Sequence, residues 1–395
     1  MVHKSWYDDS RVGRPSIGCR LPEVVLWRRR MAANRARTWA CVDIDHPLTY
    51  RSVVAAHLEM LCRTMAPADE GAARQIEMVC SLPGAWADEP VERLDRHHSF
   101  VANDGSPVEF SFAMTRSGAA ARVLFEPLDI TLGASSPPRE ESRFVERLSE
   151  ALNVDVSKFR LVADIFQGPA VSGSFSMMCA AALTTGDIPL FKVYLNPAIG
   201  PSRPHQAVGA AMGRLGLGAQ WDLLCEHLGA DVFDGPHHEI ALFALDLGNF
   251  PEARVKLYLR HAGCGPEEIE RVAALAADHE PDLLPKILGC IDNSPVDGWA
   301  KAPMTCLSFL ASNPEPASVT LYCPLDPNVG SDAEASVRVV DLLEMSGIAP
   351  ELFGAVITAA SGSDLAGGRR LSWVSYKRPA DPVVTVYAGL DGTKR

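Results

Sequence analysis

Ten cysteines are spread along the chain without a single CxxC pair or zinc-finger spacing, which excludes the common structural zinc motifs and the thioredoxin-type redox motif. They are expected as buried free thiols of a protein kept in the reducing cytoplasm. No stretch reaches 18 consecutive apolar residues, and the N-terminus lacks an uninterrupted apolar segment, so neither a membrane helix nor export is expected. Nor is there a surplus of basic residues. The 37 Lys and Arg stand against 49 Asp and Glu, giving a net charge of −12. That balance argues against sequence-independent nucleic-acid binding, which needs basic surface to displace counterions. Dinucleotide (GxGxxG), Walker, nucleophile-elbow (GxSxG) and HExxH motifs are all missing. Asp8 and Asp9 are followed by Ser-Arg-Val, so the DDxxD sequence that holds magnesium in isoprenoid-chain enzymes is also missing. The pairs His97–His98 and His237–His238 are expected as loop or surface histidines, because neighbours on a strand point apart, and no metal ligand set is expected.

What is present is an ordinary globular composition, 47% hydrophobic and 22% charged, enough for a sizeable core. It is organised by an internal period. The strand-like runs FKVYLNP (191–197), VKLYLRH (255–261), VTLYCPL (319–325) and VTVYAGL (384–390) carry Tyr194, Tyr258, Tyr322 and Tyr387 at intervals of 64, 64 and 65 residues. ARVLFEPL (121–128) has the same character one period earlier. Each run follows another β-like run across a turn rich in Gly, Pro, Asp or Ser, which predicts five hairpins: 107–113 with 121–126, 174–183 with 189–196, 239–247 with 253–260, 303–311 with 317–323, and 370–377 with 383–388. Between them, 138–152, 204–216, 265–279 and 332–347 carry helix periodicity and start signals. The fold class that follows is α+β: five α-α-β-β repeats whose ten antiparallel strands close into a barrel with helices outside and no free edge. Residues 1–48, with the Arg-rich WRRRMAANRAR at 27–37, have no partner in the repeat and are expected as a solvated arm before a single barrel domain over 49–395.

Strand parity divides inside from outside. Phe191, Val193 and Leu195 oppose Lys192 and Tyr194; Val255, Leu257 and Leu259 oppose Arg254, Lys256 and Tyr258; Val319, Leu321 and Cys323 oppose Thr320 and Tyr322; Val384 and Val386 oppose Thr385 and Tyr387. With the apolar faces packed on helices, the polar faces line the interior. Arg254 and Lys256, about 6.6 Å apart along a strand, repel by roughly 2.5 kcal/mol at an effective dielectric of 20. Arg122 and Arg378 add positive charge with compatible parity, and Glu109 is the one acid assigned to the interior. Five cations against one carboxylate point to an anionic ligand, a diphosphate. A triphosphate-tunnel enzyme would share the cations, but no ExExK acid cluster is found.

At these residues the sequence resembles the dimethylallyltryptophan synthase family of aromatic prenyltransferases, whose fold is the ABBA or PT barrel, over roughly residues 95–390; its motifs are closest to bacterial members. The resemblance implies transfer of a dimethylallyl or geranyl group from its diphosphate to an indole, either tryptophan or a derivative such as an indolactam, as one step of indole alkaloid or secondary metabolism. It also implies that no cofactor is required and that magnesium is not essential. NDGSPVEFSF (103–112) places on Glu109 the acid that accepts the indole N–H. Arg122, Lys192, Arg254, Lys256 and Arg378, the last nine residues before Tyr387, match diphosphate-binding positions. Tyr194, Tyr258, Tyr322 and Tyr387 match those that shield the carbocation. Thr320 stands where a glutamine is common, and VSGSFSMMCAAAL (171–183) lacks the lysine that some fungal members use as a base. The deprotonating group therefore stays open, and attachment at indole C4 is not implied. The implied partners are a prenyl diphosphate and an aromatic indole, without nucleic acid or membrane, for a monomer or homodimer. A non-catalytic prenyl-diphosphate carrier and an enzyme acting on a phenolic acceptor are the alternatives.

Overall fold

The computed structural model describes residues 48–65, 70–91, 99–128, 139–168, 175–229, 233, 237–361, 368–377 and 381–389. The expected arm, up to residue 47, lies outside the described residues. Ten strands follow in chain order: β1 Val108–Met114, β2 Ala119–Phe125, β3 Met177–Ala182, β4 Leu190–Leu195, β5 His238–Asp246, β6 Val255–His261, β7 Met304–Phe309, β8 Ser318–Pro324, β9 Leu371–Lys377 and β10 Val383–Gly389. Each pairs antiparallel with its sequence neighbour, and β1 pairs with β10, so the sheet closes into a barrel. All five expected hairpins are present.

A pair of helices precedes each hairpin: α1 Tyr50–Met65 and α2 Glu70–Ser81, α3 Arg139–Leu152 and α4 Ser157–Val162, α5 Pro204–Arg214 and α6 Gly218–Leu228, α7 Pro266–Ala273 and α8 Leu283–Ile291, α9 Asp332–Met345 and α10 Glu351–Ser361. Their starts follow local chemistry. Pro204 and Pro266 occupy first-turn positions that need no N–H donor. The Glu268 carboxylate accepts the Gly265 N–H at 2.8 Å, and the Ser331 hydroxyl accepts the Glu334 N–H. One expected helix is shorter than its periodicity. The run 265–279 leaves the helix after Ala273, because Ala277 N–H donates to the Pro316 carbonyl and the Asp278 carboxylate accepts the Val319 N–H. Both bonds tie this segment to the β7–β8 hairpin instead of to its own preceding turn.

The core lies between the barrel wall and the helices. Outward-facing Phe110 stacks on His57 of α1, Phe112 on Phe353 of α10, and Phe125 meets Phe144 of α3 edge-on. Val123, Val193, Leu257, Leu321 and Val386 share that parity and are buried in the same cluster. The apolar faces of the strands are thus used up outside, and the alternate positions are left to line the lumen.

Candidate active site

Cations collect at one end of the lumen. Arg122, Lys192, Arg254 and Lys377 line a cavity of about 510 Å³ together with Asp246, Phe250, Glu252, Asp278 and Ser318. Lys256 lies one side chain deeper on β6, its Nζ 3.3 Å from an Asp246 oxygen. Asp246 also accepts from Arg254 Nε at 2.8 Å and lies 4.0 Å from Lys192 Nζ. It is the hub of the cluster and is itself only 5% exposed.

The charges within this cluster do not balance. Burial would raise the Asp246 carboxyl, but Lys256, Lys192 and Arg254 outweigh it and hold the group well below the usual carboxylate range. In turn the Lys256 charge, then burial and Arg122, push the Lys192 ammonium well below its ordinary value. Burial, followed by Arg254 and Lys256, lowers Lys377 as well. Arg122 Nε is buried without a hydrogen-bond partner among the described residues. A lining that weakens the hold of its own lysines on their protons and keeps an unbonded guanidinium N–H is set up for an anion with several oxygens. On this reasoning Asp246→Asn is expected to destabilise the ligand-free fold by on the order of 3 kcal/mol, since three cations lose their shared counterion. Saturating inorganic diphosphate should then raise the melting temperature of the variant more than that of the wild type; equal shifts would show that Asp246 does not offset cationic repulsion.

The next layer along the barrel is aromatic. On β4, β6, β8 and β10 the tyrosine follows the polar position by two residues, so Tyr194, Tyr258, Tyr322 and Tyr387 form a band with consecutive ring centroids 5.9, 5.5 and 5.9 Å apart. Burial drives all four phenols above their ordinary pKa. They stay neutral, so they offer ring faces and no phenolate. Ala241, Ala244, Met304 and Cys306 complete a small apolar lining around them.

Beyond the tyrosines sits a buried carboxylate. Glu109 on β1, 4% exposed, is two residues from Ser111, which pairs with both Tyr387 and Arg122. Tyr387 pairs with Trp373 and Ala388 with Leu371, so Ser372 is the extra residue of a bulge in β9. A bulge re-aims a side chain, and the Ser372 hydroxyl donates to Glu109 Oε1 at 2.6 Å. Burial raises the Glu109 carboxyl to about 7, against the Ser372 hydrogen bond and the Lys301 charge. Lys301 Nζ lies 4.3 Å from the Trp373 ring centroid and donates to Asn103 Oδ1 at 2.7 Å. Asn103 in turn donates to Asp326, which Arg369 also pairs at 3.1 Å. This end therefore offers an aromatic plane, an acceptor carboxylate and a polar rim of both signs.

The structure brings Glu109, Arg122, Lys192, Tyr194, Arg254, Lys256, Tyr258, Tyr322 and Tyr387 into one lumen. Arg378 lies outside the described residues; the cation that β9 supplies among them is Lys377. The expected charge count needs correction, because Asp246 joins Glu109 as an interior acid while Glu252 and Asp278 line the cavity. Asp246 was hidden by the Ala241 bulge in β5, where the register shifts between Ile240 and Leu242 and strand parity reverses. Its signal was the hairpin itself, since a turn closing 246 against 254 sets an acid beside Arg254. Lys301, Trp373 and Ser372 were also missed. The first lies on a loop without periodicity, and Trp373 shares its parity with Ser375 and Lys377, not with the expected Arg378. The histidine expectation is corrected as well: His238 is 2% exposed on β5, whereas His237 is exposed. His97 and His98 lie outside the described residues.

Comparison with known proteins agrees with this geometry. A family model described as tryptophan dimethylallyltransferase matches residues 79–285, just over half of the chain. A solved 6-dimethylallyltryptophan synthase from Micromonospora olivasterospora, in complex with DMASPP and Trp, is 28% identical, with a TM-score of 0.78 over 87% of this chain and 98% of that one. Another 6-dimethylallyl tryptophan synthase is 26% identical, with a TM-score of 0.77 over 87% and 97%. The fold is shared with a 5-dimethylallyltryptophan synthase from Streptomyces coelicolor, 24% identical, with a TM-score of 0.78 over 89% and 100%. Among the described residues, no helix is long and apolar enough to cross a membrane.

Proposed function

The chain belongs to the tryptophan dimethylallyltransferase family, and from that premise we propose that it moves a dimethylallyl group from its diphosphate to the indole ring of tryptophan or a tryptophan-derived indole, without a metal. The observation that carries this reading is the order of three layers in one lumen: cations around a cavity, a band of four tyrosines, then a buried carboxylate.

In this reading Arg122, Lys192, Arg254, Lys256 and Lys377 bind the diphosphate, and Arg378 joins them. The allylic C–O bond breaks with its electron pair leaving on the diphosphate, whose new charge these cations stabilise more strongly than the ground state. Tyr194, Tyr258, Tyr322 and Tyr387 face the allylic cation, each worth on the order of 0.5–2 kcal/mol, and keep water away. Glu109 accepts the indole N–H and feeds electron density into the ring as a ring carbon forms the new C–C bond. The ring proton then leaves to a base. That base is not on β3, which turns only Met178, Ala180 and Ala182 toward the lumen, and this supports attachment away from C4. The cytoplasm is the compartment that suits a chain whose eight described cysteines are free thiols.

Purified protein incubated with dimethylallyl or geranyl diphosphate and a panel of indoles should give a C-prenylated indole, with NMR of the product fixing the ring position. Failure to alkylate any indole with either donor would refute the reading. Tyr322 sits between Tyr258 and Tyr387 in the band, so Tyr322→Leu should lower transfer by roughly 3–30-fold and raise the share of donor hydrolysed to free alcohol; an unchanged ratio of alcohol to prenylated indole would show that the band does not guard the cation.

A further inference from the structure

A second cluster of ligating side chains lies on the other side of the barrel wall. His238 begins β5 and His261 ends β6, and the two are paired directly in register. Cys264 follows in the turn to α7, where Gly263 at φ +67° doubles the chain back. All three are buried, at 2%, 0% and 0% exposure. Strand parity turns His261 outward with Leu257 and Leu259, and Cys264 belongs to the apolar layer between barrel and helices. The cluster is therefore separate from the lumen.

Its geometry is that of a ligand set. His238 Nδ1 and His261 Nδ1 face one another at 2.9 Å, Cys264 Sγ is 3.9 Å from His238 Nδ1, and all three atoms lie within 4.8 Å of one another. A tetrahedral zinc with ordinary bond lengths needs about 3.3 Å between two nitrogens and about 3.6 Å between nitrogen and sulfur, and both His238 contacts lie within a few tenths of an ångström of those distances. The far side of His261 is also arranged for this, because Nε2 lies 2.8 Å from Thr305 Oγ1. With the ion on Nδ1, that nitrogen carries the proton and donates to Thr305, which is how metal-bound imidazoles are usually oriented. Two imidazoles and one sulfur select a borderline-soft ion over magnesium or calcium.

We propose that His238, His261 and Cys264 form a structural zinc site that ties the β5–β6 hairpin to the start of α7. Binding converts the Cys264 thiol to a thiolate and releases one proton to solvent. The fourth position falls to a water or to the His237 carbonyl, which already lies 3.2 Å from Sγ. The ion takes no part in prenyl transfer, so its occupancy and the catalytic reading are measured separately.

The test is the zinc content of the purified full-length protein by elemental mass spectrometry, after incubation with excess zinc and removal of free ion, together with the absorption spectrum after cobalt(II) substitution. One zinc per chain and a thiolate-to-cobalt charge-transfer band are expected in the wild type. His261→Gln and Cys264→Ser, with folding checked by circular dichroism, should retain no zinc. A wild type that holds only substoichiometric zinc, or a cobalt form without the thiolate band, would overturn the proposal and leave the histidines as a hydrogen-bonded pair. The wild-type measurements decide the matter even where a variant does not fold.

Discussion

Glu109→Gln is expected to lower prenyl transfer about 10²–10³-fold while donor affinity stays unchanged. The variant keeps the shape of the side chain and an oxygen to accept the Ser372 hydroxyl, so what it removes is the charge. That charge lies beyond the tyrosines, away from the diphosphate cavity, where it acts on the acceptor and not on the donor. The same group sets a pH dependence. Its folded value of about 7 lies above the ordinary 4.5, so wild-type kcat/KM should rise as pH climbs through about 7 and Glu109 ionises. The variant should show no inflection there. Stability moves the other way: a raised carboxyl pKa means the folded state resists losing a proton that the unfolded chain releases, so wild-type stability falls between about 4.5 and about 7. Above that range the variant should melt higher than the wild type. Transfer that survives the substitution unchanged would remove Glu109 from the acceptor site.

The second large effect concerns Lys192, where activity and stability should part. Its ammonium sits among Lys256, Arg122 and Arg254 with one shared carboxylate, so in the absence of ligand the charge is held at a cost. Lys192→Met should therefore stabilise the ligand-free protein by about 1 kcal/mol and lower kcat/KM about 10²–10³-fold through lost stabilisation of the leaving diphosphate. A lysine whose folded pKa falls below the ordinary 10.5 weakens the fold while charged, and the wild type should regain stability as pH rises from the lowered value toward 10.5. The variant should lack that gain. Thermal melts over pH, set beside steady-state rates, check both halves; a variant that loses stability along with activity would show that Lys192 is held by its neighbours and not opposed by them.

The barrel was legible because its information is periodic. Tyrosines 64 and 65 residues apart mark the hairpin repeat, and two-residue alternation separates Lys192 and Tyr194 from Phe191 and Val193. What escaped lies where that alternation breaks or where no strand exists. The Ala241 bulge hid Asp246, the Ser372 bulge hid the partner of Glu109, and Lys301 reaches Trp373 from a loop. His238 was misplaced for a related reason: two adjacent histidines at a strand start look like a loop, and only the pairing with His261 shows one of them turned into the core. Local sequence carries parity, whereas register across a bulge depends on both strands at once.

In the proposed reaction, protein cations pull the diphosphate away with no metal. The most direct measurement is the initial rate of allylic C–O cleavage by protein dialysed against EDTA, with tryptophan and dimethylallyl diphosphate present, before and after magnesium is restored. Equal rates, with prenylated indole as the main product in both, are predicted. Cleavage that starts only when magnesium is added would contradict it.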